Sequence, residues 1–366
     1  MDGYAVRGAD VANASADRPV ALRVLETVAA GGFAARDVGY GEAIRIMTGA
    51  PIPRGADTVV RVEDTDGGAV QVEIRDKRDA HRNVRARGED IQAGDTVLAA
   101  ETAIGAAQIG VLASVGAAVV DVHRRPRVAI VAAGDELVDL DRFTEAFSGR
   151  KIVSSNTYTL HALVRTAGGE PVNAGLAADK RVDIEDLLRR SAGCDLIVTA
   201  GGISVGEFDY TREALASLGA DMKFWRVSMR PGAPLGYGTL GGTPWVGLPG
   251  NPVSAMVTFE LFVRPALRRM LGHRRPFRRP VPVVLEEPIV IAAKLTHFLR
   301  AIVTPQTDGT LSARLTGPQG SGILTSMSHA NALLVVPGDR PRSEPGDVLN
   351  ALLLTADAMT SSNFAL

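Results

Sequence analysis

The run Leu248-Pro249-Gly250-Asn251-Pro252-Val253-Ser254 ends an apolar segment and opens a helical pattern. Asn251 stands at the N-cap and Pro252 at the first helical position, where a missing N–H removes no hydrogen bond. The unpaired amides and the positive dipole end of such a helix start attract anions, and Pro249 and Gly250 let the backbone approach a ligand closely. As a bare cap and turn the run would be structural. A second loop, Gly201-Gly202-Ile203-Ser204, follows another apolar stretch and lacks the spacing and the lysine of a P-loop. Two such loops at strand ends of one domain put a phosphorylated ligand on a par with a purely structural reading.

Carboxylates fall at the same edge: Glu136 after the first apolar strand, Asp209 after the glycine loop, and Asp179 after the stretch around Val172. Oxygen-only ligands suit a hard cation such as Mg²⁺, which keeps several waters and needs one or two carboxylates beside substrate phosphates. Histidine and cysteine clusters are absent from the sequence, so a zinc site has no ligands. Each carboxylate could instead cap a helix, Asp209 before Tyr210 above all. Arg226 and Arg230 lie four apart on a strand-like segment from Lys223 to Met229. That spacing points both to one face, where two guanidinium groups could hold a tetrahedral oxyanion; otherwise they are surface charges.

These residues need a scaffold that brings strand ends together. Residues 1–125 contain short Val/Ile/Thr segments broken by Gly and Pro, such as Ala43 to Thr48 and Gly94 to Leu98, and read as β-rich. The stretch Arg75 to Arg87 holds six Arg or Lys residues with no interleaved aromatic, and reads as a solvated loop rather than an anion patch. In residues 126–272 strands alternate with helical patterns: Arg127 to Ala132, Asn156 to Ala167, Asp183 to Arg190, Asp195 to Thr199 and Tyr210 to Leu218. That alternation predicts a central three-layer α/β domain with a mostly parallel sheet, whose ligands bind beyond the carboxyl ends of the strands. Past an Arg- and Pro-rich linker, residues 280–358 return to β texture and predict a small β-barrel-like domain.

Composition agrees with a multidomain α/β plus β protein. The 366 residues exceed what one core usually holds, and 46% hydrophobic with 22% charged residues is ordinary for a folded chain. Forty basic against forty-one acidic side chains leave no net field to gather nucleic acid or anionic lipid. The single cysteine, Cys194, has no disulfide partner and reads as a buried thiol. No apolar run approaches the roughly twenty residues of a membrane helix, and the start has no signal-peptide pattern, so a cytoplasmic protein is expected.

Taken in order, Met1-Asp2-Gly3-Tyr4-Ala5, Met47-Thr48-Gly49-Ala50-Pro51, Arg87-Gly88-Glu89-Asp90, Gly134-Asp135-Glu136, Thr199 to Gly206 with Glu207-Phe208-Asp209-Tyr210, Arg230-Pro231-Gly232 and Leu248 to Ser254 resemble the MoeA/gephyrin E-domain family. That family comprises molybdopterin molybdenumtransferases. The likeness covers nearly the whole chain, and the motifs outside the central domain separate it from the related molybdopterin adenylyltransferases.

The resemblance implies insertion of molybdate into adenylyl-molybdopterin with Mg²⁺-dependent release of AMP. It implies that Asp90, Glu136 and Asp209 serve the Mg²⁺, and that Asp2 and Thr48 are catalytic residues acting across a homodimer. The pterin pyrophosphate would bind on the central domain, with the glycine loop (Gly201, Gly202, Ser204) and the Pro249, Gly250, Asn251 and Pro252 turn as substrate-binding residues. Arg230, Ser254, Arg300 and Ser321 would serve the molybdate and phosphate pocket, and Arg226, at a place often held by lysine in the family, would be a further substrate-binding cation. A molybdopterin adenylyltransferase is implied as a possible partner.

Two departures stand out. The family's helical segment upstream of the first motif is not in this sequence, so a mis-assigned start or a fragment is expected, with weakened dimerisation. The family's frequent Lys-Pro-Gly-Lys is Arg230-Pro231-Gly232-Ala233 here, one cation fewer. The alternatives are an adenylyltransferase acting one step earlier, or a non-catalytic pterin-binding scaffold.

Overall fold

The computed structural model describes residues 1–202, 210–292 and 294–355. The chain divides into two compact units, Met1–Leu98 and Ala99–Leu366.

In the first unit β1 (Gly3–Val6), α1 (Gly8–Val11), β2 (Val20–Val28), β3 (Glu42–Ile46), β4 (Thr58–Arg61) and β5 (Gln71–Ile74) follow one another. The strands form one sheet in the order β4-β1-β3-β2-β5. Side chains alternate across a strand, so Tyr4 and Val6 enter one core with Leu22 and Val72, while Ala5 enters another with Ile44 and Val59. The β-rich expectation holds. The segment Gly94 to Leu98 is nevertheless turn and irregular chain, and Gly94 has φ +95°, outside the extended region a strand needs.

The basic stretch is largely exposed, irregular chain, as expected, and is anchored at Arg78 and Asp79. Asp79, 1% exposed, accepts from Arg61 Nε at 2.9 Å, Nη2 at 2.8 Å and the Arg61 backbone N–H at 3.1 Å, and Arg78 pairs with Asp64. The Arg61 guanidinium holds the Asp79 carboxyl down to about 2, against an ordinary 3.8. A depressed folded value adds stability that is complete above about 3.8 and is lost as the pH falls through about 2. Asp79→Asn is therefore expected to cost about 2 kcal/mol near neutral pH and much less at about pH 2. Urea unfolding at both pH values checks this; an equal cost at both would mean that charge is not the cause.

The second unit begins with α2 (Ala106–Ser114). It continues through β6 (Arg127–Ala133), β7 (Leu137–Val138), β8 (Ile152–Val153), α3 (Ser155–Thr166), β9 (Glu170–Ala177), α4 (Arg181–Arg190) and β10 (Leu196–Ala200). After the segment 203–209 come α5 (Tyr210–Ser217), β11 (Asp221–Arg226), β12 (Met229–Arg230), β13 (Pro234–Leu240) and β14 (Thr243–Leu248). The central sheet runs β11-β13-β14-β10-β6-β9; β14, β10, β6 and β9 are parallel, and β13 alone is reversed, pairing antiparallel with both β14 and β11.

Both faces of this sheet are covered, which is why β6 reads as one continuous apolar run. Val128 and Ile130 pack with Leu160 and Val164 of α3 and with Ala255, Phe259 and Leu267. Ala129, Val131 and Ala133 pack with Ile184 and Leu188 of α4 and Leu215 of α5. Three layers result, as expected. Cys194 is buried on the second face, and burial pushes its thiol up.

From Pro252 the chain is helical to Met270: α6 (Pro252–Thr258), a π turn at Phe259–Val263, and α7 (Arg264–Met270). Pro265 has no N–H to give to the preceding turn, and the wider π turn just before it takes up the mismatch. Then come β15 (Val281–Leu285), β16 (Ile289–Val290), β17 (Thr296–Pro305), β18 (Leu311–Leu315), α8 (Leu324–His329), β19 (Ala332–Val336), β20 (Arg342–Ser343) and β21 (Val348–Leu353). Strands β17-β18-β15-β21-β19 close back on β17 as a five-strand barrel around Val283, Leu299, Ala301 and Leu334. Closure removes the exposed edges that so small a sheet would otherwise carry.

The strand expected from Lys223 to Met229 is two strands. It breaks after Arg226, and Met229–Arg230 joins the barrel sheet, pairing with Thr296 and His297. The one-face argument for Arg226 and Arg230 fails with it, because the two belong to different sheets.

Candidate active site

A cleft of about 650 Å³ lies beyond the carboxyl ends of the parallel strands. Three connections build it. The turn after β6 contributes Gly134 and Glu136, the turn after β10 contributes Gly201 and Gly202, and the turn after β14 contributes Pro249, Gly250, Asn251 and Pro252. Ile152, Val153 and Ser154 to Asn156 form a wall, Asp179 comes from the loop after β9, and Gly322 reaches in from the barrel.

Gly201 and Gly202 are sterically required. Gly201 and Gly202 have φ +89° and +65°, and a Cβ on Gly202 would stand 2.1 Å from Thr211 Oγ1. A Cβ on Gly134 would meet the Glu136 carboxylate at 2.8 Å, so that carboxylate folds over bare backbone. A Cβ on Gly250 would come within 3.6 Å of the Gly201 Cα; the two turns face each other closely.

Asn251 is the N-cap of α6 with Pro252 following, but its side chain makes no cap hydrogen bond. The Val253 N–H donates to the Ser321 carbonyl at 3.1 Å. One amide of the expected anion site is thus used to tie the barrel to the helix start. Ser254 is buried, 4% exposed, and does not line the cleft.

Glu136 and Asp179 are the carboxylates of the cleft lining. Asp179 is fixed by a reciprocal pair: its N–H donates to Asp135 Oδ1 at 3.0 Å, and the Asp135 N–H donates to Asp179 Oδ2 at 3.3 Å. Among the described residues no three His, Cys, Asp or Glu side chains gather as a ready metal cage. Ser204 and Asp209 lie outside the described residues. Asp90 is exposed in irregular chain of the first unit. In the same unit Asp2 and Thr48 are joined: the Thr48 N–H and hydroxyl both donate to Asp2 Oδ1 at 2.8 Å. These bonds, the backbone one first, hold the Asp2 carboxyl below its ordinary value.

Arg300 differs most from expectation. It is 0% exposed and its guanidinium is occupied by protein: Nε donates to Ser326 Oγ at 2.9 Å, Nη1 to the Gln319 carbonyl at 3.2 Å, and Nη2 to the carbonyls of Gly320 at 3.0 Å and Pro318 at 3.4 Å. Burial pushes it below the usual arginine value. As placed it clamps the loop that carries Ser321 and Gly322 and does not present its charge to the cleft. Arg226 and Arg230 are exposed outside the cleft lining.

One wall residue was read from sequence only as a helix start. Asn156 Nδ2 donates to the Gly250 carbonyl at 2.7 Å, joining the first turn of α3 to the turn after β14. A polar Ser154-Ser155-Asn156 run directly before an apolar helix face was the available signal.

Comparison with known proteins agrees with this layout. Residues 1–116 match the MoeA N-terminal region (domain I and II), 129–269 a probable molybdopterin binding domain, and 282–354 the MoeA C-terminal region (domain IV). The chain is similar to molybdopterin molybdenumtransferase 2 of Mycobacterium tuberculosis (strain ATCC 25618 / H37Rv), 39% identical over 361 residues, covering 97% of this chain and 88% of that one. It is also similar to the molybdopterin molybdenumtransferase of Nostoc sp., 37% identical, covering 95% and 81%. A molybdopterin biosynthesis moeA protein from Pyrococcus horikoshii OT3 superposes with a TM-score of 0.80 at 28% identity, covering 96% and 86%. No helix among the described residues is long and apolar enough to cross a membrane.

Proposed function

We propose, for a chain that belongs to the MoeA family of molybdopterin molybdenumtransferases, that the cleft holds adenylyl-molybdopterin while its phosphoanhydride is cleaved and molybdate is transferred to the dithiolene. The observation that carries this is the convergence of two close-approach glycine turns and two carboxylates at the ends of parallel strands. The bare backbone of Gly201, Gly202 and Gly250 lets phosphate oxygens approach. Asn156 fixes the Gly250 turn. The P–O bond to the adenylyl group breaks, water supplies the oxygen, AMP leaves, and the two pterin thiols replace oxygen ligands of molybdate, their protons leaving with the displaced oxygen as water. The chain's part is positioning and electrostatics, as is usual in phosphoryl chemistry.

The donor set fits Mg²⁺: Glu136 and Asp179 offer hard oxygens, with Asp209 assigned to the same shell by resemblance. A bound Mg²⁺ would offset charge on the phosphoryl oxygens. Arg230 and Ser321 are assigned to molybdate, with Arg300 holding the Ser321 loop. A homodimer belongs to the same reading. Asp2 and Thr48 offer an ionised carboxylate and a hydroxyl on exposed chain, suited to completing a second chain's cleft. A molybdopterin adenylyltransferase is the natural supplier of the substrate, and the cytoplasm the setting.

The test sets this reading against the adenylyltransferase. Purified protein is given either ATP with molybdopterin or adenylyl-molybdopterin with molybdate and Mg²⁺. AMP release in the second mixture alone is expected; ATP consumption in the first would move the protein one step earlier.

A further inference from the structure

The cleft is electrically one-sided. Its described lining holds two carboxylates, Glu136 and Asp179, and no lysine or arginine. A diphosphate ligand brings further negative charge into this place, which a side-chain cation reaching in from the rim would help to offset.

Lys151 is built to do so. The Ile152 N–H donates to the Glu136 carbonyl at 2.8 Å and the Ser154 N–H to the Val138 carbonyl at 2.9 Å, so β7 and β8 form a short paired wall with Leu137, Ile152 and Val153 in the lining. Lys151 directly precedes that wall. Its Nζ donates to the Asp135 carbonyl, one residue from Glu136. Among the described residues it makes no salt bridge, and nearby Glu145 is paired with Arg142. A neutral carbonyl holds the ammonium without neutralising it, and a flexible four-carbon stem lets it move.

We propose that Lys151 is a substrate-contacting residue for this reaction: on binding it leaves the Asp135 carbonyl and donates to a phosphate oxygen of the pterin diphosphate. This rests on the function proposed above, and the test separates the two.

Inorganic pyrophosphate binding is measured by calorimetry, and KM and kcat by AMP release, for the wild type, Lys151→Met and Lys151→Arg. Lys151→Met is expected to weaken pyrophosphate binding and to raise KM by about tenfold or more, the size of a lost charge-assisted hydrogen bond. Its pyrophosphate Kd should also rise less steeply with salt. Lys151→Arg should recover most of both, and melting temperatures should match. Unchanged affinity in Lys151→Met, or a Lys151→Arg variant as weak as Lys151→Met, overturns the assignment. Should the wild type release no AMP, the proposed function fails, and the pyrophosphate titration alone decides for or against Lys151.

Discussion

Glu136→Gln is expected to lower AMP release from adenylyl-molybdopterin by about a hundredfold to a thousandfold, the size of one lost electrostatic contribution, here the hold on a Mg²⁺ that would offset the developing phosphoryl charge. Pterin binding should stay within about threefold, since the glycine turns and Asn156 are untouched. Glutamine keeps the shape of the side chain but loses its charge, and its amide nitrogen is no ligand for a hard cation. The residue is well placed for so large an effect, because its carboxylate lies over Gly134 with no Cβ between them and faces the cleft. Asp179→Asn should act in the same direction. Single-turnover AMP release with a Mg²⁺ titration is the check, and a wild-type rate in Glu136→Gln would take that carboxylate out of the reaction.

Arg300→Met is expected to act through structure. The substitution removes the donors that now satisfy the carbonyls of Pro318, Gln319 and Gly320 and the Ser326 hydroxyl. A lost hydrogen bond from a charged donor is worth roughly 1.5–3 kcal/mol. Water can replace some of these partners on the exposed side of the loop, and the burial cost of an unpaired cation is relieved. The net expectation is about 2–3 kcal/mol of lost stability, with the half-saturating molybdate concentration raised because Ser321 and Gly322 are no longer held against the start of α6. Melting temperature and a molybdate titration on the same preparation separate the possibilities. An unchanged melting temperature with a raised molybdate requirement would mean that Arg300 turns outward to bind the oxyanion itself.

Arg300 also shows where sequence reasoning stops. Nothing in Phe298-Leu299-Arg300-Ala301 tells whether the arginine faces solvent or a ring of carbonyls; that depends on a loop 18 to 20 residues further on. The same limit split the Lys223 to Met229 segment, because the partner of Met229–Arg230 is β17, far along the chain. The reciprocal Asp135 and Asp179 pair is non-local too, its members 44 positions apart. Local signals served well elsewhere. The continuous apolar run of β6 marked a strand covered on both faces, Pro252 marked a helix start, and the paired glycines of the β10 turn marked a close backbone approach. The central α/β domain and its cleft edge were therefore legible, whereas the wall residue Asn156 and the buried clamp of Arg300 required the fold.

The central claim is that one cleft couples anhydride cleavage to metal transfer. It is tested most directly by counting, in one reaction containing adenylyl-molybdopterin, Mg²⁺ and molybdate, the AMP released and the molybdenum retained on pterin. Equal amounts that rise together with added molybdate are expected. AMP released with no molybdenum on the pterin, or molybdenum insertion with the adenylyl group still attached, would contradict it.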